Sequence, residues 1–238
     1  MIVRDAGVHW QVVLQTDHAD LSAAFAHARD DEVSPSLALV AERHDDGWAV
    51  WEQSPRVDGG GRPVNFLDVN VLAHLAFYRA GIAALTEEDP YAGLLLSMHG
   101  AGIYRRRYGL DPGLKLTFED VVREQVEAFV AEQEAKFGGD PGEHRRDYEL
   151  LQLYDRLSLY FCMRDVEAGE EGEVQGHRLE PVAPWHVRME PFPFAESPAR
   201  FSLLRRVLPK RGRTQEEFRR ELFSTPPERT EITIEETE

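Results

Sequence analysis

What most constrains this chain is helical phase: at four positions a histidine or an aspartate occupies a place in an apolar stripe, where a side chain should point into the core. His18 stands three residues before Leu21 and seven before Phe25 and shares their face. Leu37, Val40, Ala41 and His44 recur at i, i+3, i+4 and i+7, with Asp45 adjoining. Leu151, Asp155, Ser158, Leu159 and Cys162 place a carboxylate on the apolar side of a later helix. Burying a bare carboxylate is costly, so these helices are expected to converge and pair their polar groups. A divalent cation satisfies all four at once. Two His and two Asp leave open positions for water, the arrangement of a catalytic rather than a closed structural metal site.

The pattern around these positions predicts helices over 12–29, 35–45, 65–85, about 117–136 and 143–164. The second has Ser34 as N-cap, with Pro35 in its first turn. The 65–85 segment is apolar on nearly every side and is expected at the centre of the fold. The apolar run from Tyr91 to Met98 reads as helix or strand and ends at His99-Gly100-Ala101-Gly102, which suits a C-cap. Ile2 to Arg4 reads as a short strand. The acidic run from Glu167 to Glu173 reads as a linker. Beyond it, prolines separate strand-like pieces at 186–189, 201–208 and 232–234, with a short helix at 215–223. The expected architecture is a mainly α, helical domain over 1–165 and a small antiparallel β extension over 174–238 packed on it.

Composition narrows the function. In 238 residues, 27 Lys plus Arg against 43 Asp plus Glu give a net charge of −16, a field that repels duplex nucleic acid and anionic membranes. No apolar run approaches the ~20 residues of a membrane span. The single Cys162 excludes an intramolecular disulfide and a Cys-rich zinc site, which fits a reducing, cytoplasmic setting. A homo-oligomer is compatible with the sequence, which does not decide it.

The order His18, then His44-Asp45, then Asp155 on successive helices resembles the HD superfamily of metal-dependent phosphohydrolases, named for its His-Asp dipeptide. His44-Asp45-Asp46-Gly47-Trp48 looks like that motif, in which His-Asp closes a helix and a glycine follows two positions later. The resemblance implies an HD-like helical bundle with His18, His44, Asp45 and Asp155 as metal ligands, holding one or two ions of Fe, Mn, Zn or Mg. Members with two ions add histidines between the dipeptide and the final aspartate, an interval that here contains His74 and His99. The chain departs from the pattern where Asp46-Gly47-Trp48 replaces apolar-Gly-Lys. Another basic residue is then required near phosphate: Arg105, Arg106 or Arg107, or Arg156. The whole chain also resembles an uncharacterised bacterial family recorded as a domain of unknown function, through His44-Asp45-Asp46-Gly47-Trp48, Ser97-Met98-His99-Gly100 and Pro191-Phe192-Pro193-Phe194.

Each signal has a plainer reading. Asp45 could be a turn residue before Gly47, His74 a satisfied core histidine, His99 part of a cap, and Arg105–Arg107 a solvated charged face. Trp48 and Trp51 read as packing residues. The expected function is hydrolysis of a small phosphate ester, such as a nucleotide, by metal-activated water. His99 or His74 would protonate the leaving group, Arg105 would stabilise developing charge, and Arg106, Arg107 and Arg156 would hold phosphate. The alternatives are a diiron oxygenase with His74 and His99 as further ligands, and a non-enzymatic ligand-binding protein with a vestigial metal site.

Overall fold

The computed structural model describes residues 1–29, 31–105 and 120–237. The chain opens with an antiparallel hairpin of β1 (Ile2–Ala6) and β2 (His9–Val13), Ile2 opposite Val13. Gly7 turns it with φ at +72°, a conformation that side-chain-bearing residues rarely adopt. Val12 and Val13, expected to begin a helix, lie in β2, where β-branched side chains fit a pleated surface. The helix α1 (Gln15–His27) begins only after the extended Leu14.

Helix α2 (Pro35–Arg43) starts as the sequence predicts, with Ser34 Oγ accepting from the Leu37 N–H. A 3-10 turn at Asp46–Trp48 and the one-turn α3 (Ala49–Glu52) follow, then α4 (Val71–Glu88), α5 (Pro90–Arg105), α6 (Asp120–Glu134) and α7 (Arg145–Met163). The expectation that 65–85 is the central helix is corrected. It exposes Leu72, Ala76, Ala80 and Ala83, whereas α5 is buried at every residue from Leu95 to Gly102. His99-Gly100-Ala101-Gly102 is no C-cap, since α5 continues to Arg105. A Cβ at Gly100 would lie 3.2 Å from the Tyr78 ring and 3.3 Å from Phe129, so the glycine lets α4 and α6 close on α5.

The remaining elements are β3 (Gly172–Val174), β4 (His177–Ala183), β5 (His186–Glu190), β6 (Ala199–Pro209), α8 (Gln215–Ser224) and β7 (Glu228–Glu236). They correct the expected mainly α bundle with a small antiparallel extension. The structure has a seven-stranded sheet curled into a half-barrel, in the order β1-β2-β6-β7-β5-β4-β3, with about 52% of the described residues in helix and 22% in strand. The sheet is large because the N-terminal hairpin joins it, Trp10 of β2 standing opposite Leu208 of β6. It is mixed because β5 and β7 pair in parallel. The acidic run expected as a linker also contributes, with β3 beginning at Gly172 and the Glu170 carboxylate accepting from the Asp165 N–H.

One core cluster spans helices and sheet. Phe25 of α1 meets Phe201 of β6 at 4.7 Å between ring centroids, Phe194 at 5.9 Å and Phe161 of α7 at 6.2 Å. The Ala195 N–H donates to the Ala28 carbonyl, so the Pro191-Phe192-Pro193-Phe194 segment docks the end of α1. The helices that carry His18 and Asp155 are thereby fixed against the sheet.

Candidate metal centre

Four elements bring the inward-phased groups together. His18 comes from the first half of α1, His44 from the end of α2, Asp45 from the bend after it and Asp155 from the middle of α7; all four are buried. His18 Nε2 lies 3.1 Å from His44 Nε2, 3.1 Å from Asp45 Oδ2 and 3.6 Å from Asp155 Oδ1. His44 Nε2 is 3.4 Å from Asp155 Oδ1 and 3.8 Å from Asp45 Oδ2. The donor atoms of His18, His44 and Asp155 all fall within 4.8 Å of one another.

The outer nitrogens of both rings are committed to oxygen acceptors. His44 Nδ1 is 2.9 Å from the Ala41 carbonyl, which can only accept, so the Nδ1 position carries the proton. Ser158 Oγ donates to the Asp155 carbonyl at 2.7 Å and accepts from Ser22 at 2.9 Å. Toward His18 Nδ1, 2.6 Å away, it is therefore an acceptor. Held in this way, the two Nε2 positions face each other and two carboxylates, an arrangement that a positive charge satisfies, either a second proton on one ring or a metal ion among them. Burial by itself would lower the His44 pKa, but the charges of Asp45 and Asp155 outweigh it and raise it to about 9. Burial likewise opposes ionisation of both carboxylates, and the neighbouring histidines hold each below its ordinary value.

A second polar chain braces Asp45. Gln152 Nε2 donates to His99 Nδ1 at 2.6 Å, His99 Nε2 faces the Tyr78 hydroxyl at 3.3 Å, and that hydroxyl donates to Asp45 Oδ1 at 3.3 Å. Burial lowers His99 to about 4 and raises the Tyr78 phenol, so both groups are neutral near pH 7. His74 lines the cleft above, hydrogen-bonded through Nδ1 to the Tyr104 hydroxyl, and burial lowers it also to about 4. Sequence phase had not singled out Tyr78 or Gln152. A signal was present, because Tyr78 stands four residues after His74 and Gln152 three before Asp155.

The basic candidates stand elsewhere. Arg105 reaches across to Glu134 at 2.9 Å and is half exposed. Arg156 does not line the cleft. Arg106 and Arg107 lie outside the described residues. Asp46 pairs with Arg43 at 2.6 Å at the bend.

Above the ligand group is a narrow cavity of about 70 Å³, with His18, Asp45, Asp155 and His99 in its floor. Its walls combine apolar Trp48, Phe66, Leu67, Val69, Val71, Ile103 and Leu159 with polar Gln15, His74, Tyr78, Tyr104 and Gln152, and among the described residues no lysine or arginine lines it.

Fold and site thus define a mixed α/β chain with a buried histidine–carboxylate group able to hold a metal ion. The chain belongs to the family described as a protein of unknown function, DUF3891, whose family model matches residues 1–210. No curated protein and no solved structure matches it. Among the described residues, no helix is long and apolar enough to cross a membrane.

Proposed function

We propose that this chain is a metal-dependent hydrolase of a small phosphate ester. One observation carries the reading: two imidazole Nε2 atoms 3.1 Å apart, each with its outer nitrogen committed to an acceptor, lie against two carboxylates, and His18, Asp45 and Asp155 of this group reach the floor of a cleft. His18, His44 and Asp155, with Asp45 beside them, would hold Mn, Fe, Zn or Mg, for which imidazole and carboxylate are suitable donors. Such an ion polarises a phosphoryl oxygen and makes hydroxide available near neutral pH.

The chain's own residues supply the rest. Ser158 and the Ala41 carbonyl fix the ring orientations, and Tyr78 holds Asp45 Oδ1 so that Oδ2 stays turned to the histidines. The walls exclude bulk water and strengthen electrostatic interactions in the floor. His74 and His99 are neutral imidazoles at pH 7. As neutral rings they are poor general acids at that pH and can only accept or donate hydrogen bonds to the substrate.

The test is elemental analysis of wild type and Asp155→Ala as purified, followed by phosphate release from a panel of monoesters after loading with each metal. Bound transition metal and phosphate release in the wild type, both lost in the variant, are expected. A folded wild type that takes up no metal on reconstitution would overturn the reading.

A further inference from the structure

We infer that Gln15 is a specificity-determining residue of this cleft, its Oε1 accepting a hydrogen bond from a hydroxyl on the organic part of the substrate. The inference rests on the hydrolase reading above and deepens it: the ester carries a hydroxyl close to its phosphate.

Gln15 is the first residue of α1 and stands three before His18, so the two side chains leave the same face of the helix. Both line the cleft. The backbone at this junction of strand and helix is anchored, because the Gln15 N–H donates to the buried Glu52 carboxylate at 2.8 Å. The amide is therefore carried into the cleft wall by a main chain with little freedom to move.

Gln15 is 3% exposed, and its Oε1 is buried without a hydrogen-bond partner. The other buried glutamines are committed within the chain. Gln11 Oε1 accepts from Arg4 and Arg205, Gln133 Oε1 accepts from Lys136, and Gln152 donates to His99. A buried carbonyl oxygen left unmatched is costly, and few native proteins keep one without a use. The exception here lies on the wall of the candidate site. The terminal torsion of a glutamine is broad, so a turn of the amide brings Oε1 to a donor in the cleft while the backbone stays anchored.

A second unmatched atom lines the same cleft, the buried indole N–H of Trp48. One atom needs a donor and the other an acceptor. A hydroxyl is the simplest group able to answer either. A site that hydrogen-bonds a substrate hydroxyl also rejects the analogue lacking it, because its own polar group is then left unpaired.

The experiment uses the metal-loaded full chain and four phosphate esters of matched size: butyl, 2-methoxyethyl, 2-hydroxypropyl and 3-hydroxypropyl phosphate. The methoxy ester has an oxygen that accepts but cannot donate. Turnover is followed by phosphate release, and binding by calorimetry. At least one hydroxylated ester should exceed both the butyl and the methoxy ester by about tenfold in kcat/KM. Gln15→Leu and Gln15→Met, checked for folding by circular dichroism, should abolish that advantage and leave the butyl ester nearly unchanged. Should neither variant fold, the wild-type order decides.

Equal rates for all four esters, or a methoxy ester as good as the hydroxylated ones, overturn the inference. If Oε1 instead holds a water on the ion, both variants will slow every ester by the same factor and shift the pH profile, and the inference falls. If no ester is turned over, the hydrolase reading falls separately and calorimetry decides the role of Gln15. Kd must then be lowest for a hydroxylated ester and lose that order in Gln15→Leu; absence of binding, or of the order, overturns the inference.

Discussion

His18 and His44 meet Nε2 to Nε2 at 3.1 Å, each pinned from behind, His18 by Ser158 and His44 by the carbonyl of Ala41. Two neutral imidazoles do not choose this geometry, because neither inner nitrogen has a proton to donate. A positive charge satisfies the contact: either a second proton on His44, whose pKa Asp45 and Asp155 raise to about 9, or a metal ion in the space that the two rings and the two carboxylates enclose. A bound ion that replaces this proton is expected to add stability to the folded protein.

That expectation is measurable as a thermal shift. A ligand present at 100 times its Kd that binds only the folded state adds about 2.7 kcal/mol. For a chain of this length each kcal/mol is worth about 2–4 °C. Saturating Mn or Zn should raise the Tm of stripped wild type by about 5–10 °C and leave that of Asp155→Ala nearly unchanged. A rise of equal size in the variant would place the ion elsewhere.

Ser158→Ala removes the acceptor behind His18 without touching a ligand atom. Partners that orient ligands typically account for about 10- to 100-fold in metal affinity. Metal affinity, measured by competition with a chromogenic chelator, should weaken by about that factor, while the far-ultraviolet circular dichroism stays that of the wild type.

Gly47 is the glycine of the His-Asp motif, and the structure gives it a steric reason. A Cβ there would collide with the carbonyl oxygen of Phe77 and lie 2.8 Å from its carbonyl carbon. The bend that carries Asp45 thus packs directly on the backbone of α4. Gly47→Ala should cost about 1–3 kcal/mol, the usual range for overpacking, and should also weaken metal binding, because the bend must move. Urea denaturation and chelator competition on the same sample test the two effects together.

The convergence of buried polar groups was more legible than the fold. Helical phase singles out His18, His44, Asp45 and Asp155, which the structure buries side by side, because a polar group in an apolar stripe is a local irregularity, visible within two turns of helix. The capping of α2 by Ser34 and Pro35 is local in the same way. The sheet was misjudged because its decisive pairing, β2 with β6, joins residues nearly two hundred positions apart. Trp10, Val12 and Val13 carry a strand signal too short to outweigh the helical pattern that follows. The reading of 65–85 as the central helix failed for a different reason: small exposed alanines count as apolar in a periodicity argument but are common on a solvated helix face. Tyr78 and Gln152 escaped notice because neutral polar residues near a core face rarely announce a role until their partners are known.

Phe25 ties the metal-bearing helices to the sheet, since its ring meets Phe161, Phe194 and Phe201 and is fully buried. Phe25→Ala should destabilise the protein by about 3–5 kcal/mol, the range for deleting a buried aromatic. Phe25→Leu, which fills most of the space, should cost clearly less by the same urea titration. Similar losses for both would mean that ring contacts rather than volume hold α1 in place.

His74 gives the stability of the metal-stripped protein a defined dependence on pH. Burial beside Trp48 and Tyr78 lowers its pKa from 6.5 to about 4. Between those values the unfolded chain binds a proton that the folded chain does not, so unfolding becomes easier as pH falls. Its contribution is fully present above about pH 6.5, declines by up to about 1.4 kcal/mol per pH unit on the way down, and levels off below about 4. His74→Phe keeps a ring in the same packing but cannot take up the proton. Denaturant titrations of both proteins at pH 7.5, 6 and 5 should therefore show wild type losing stability faster than the variant as the solution is acidified. Parallel curves would mean that His74 is protonated as readily in the folded chain as in the unfolded one, and that its ring is solvated rather than enclosed by the cleft.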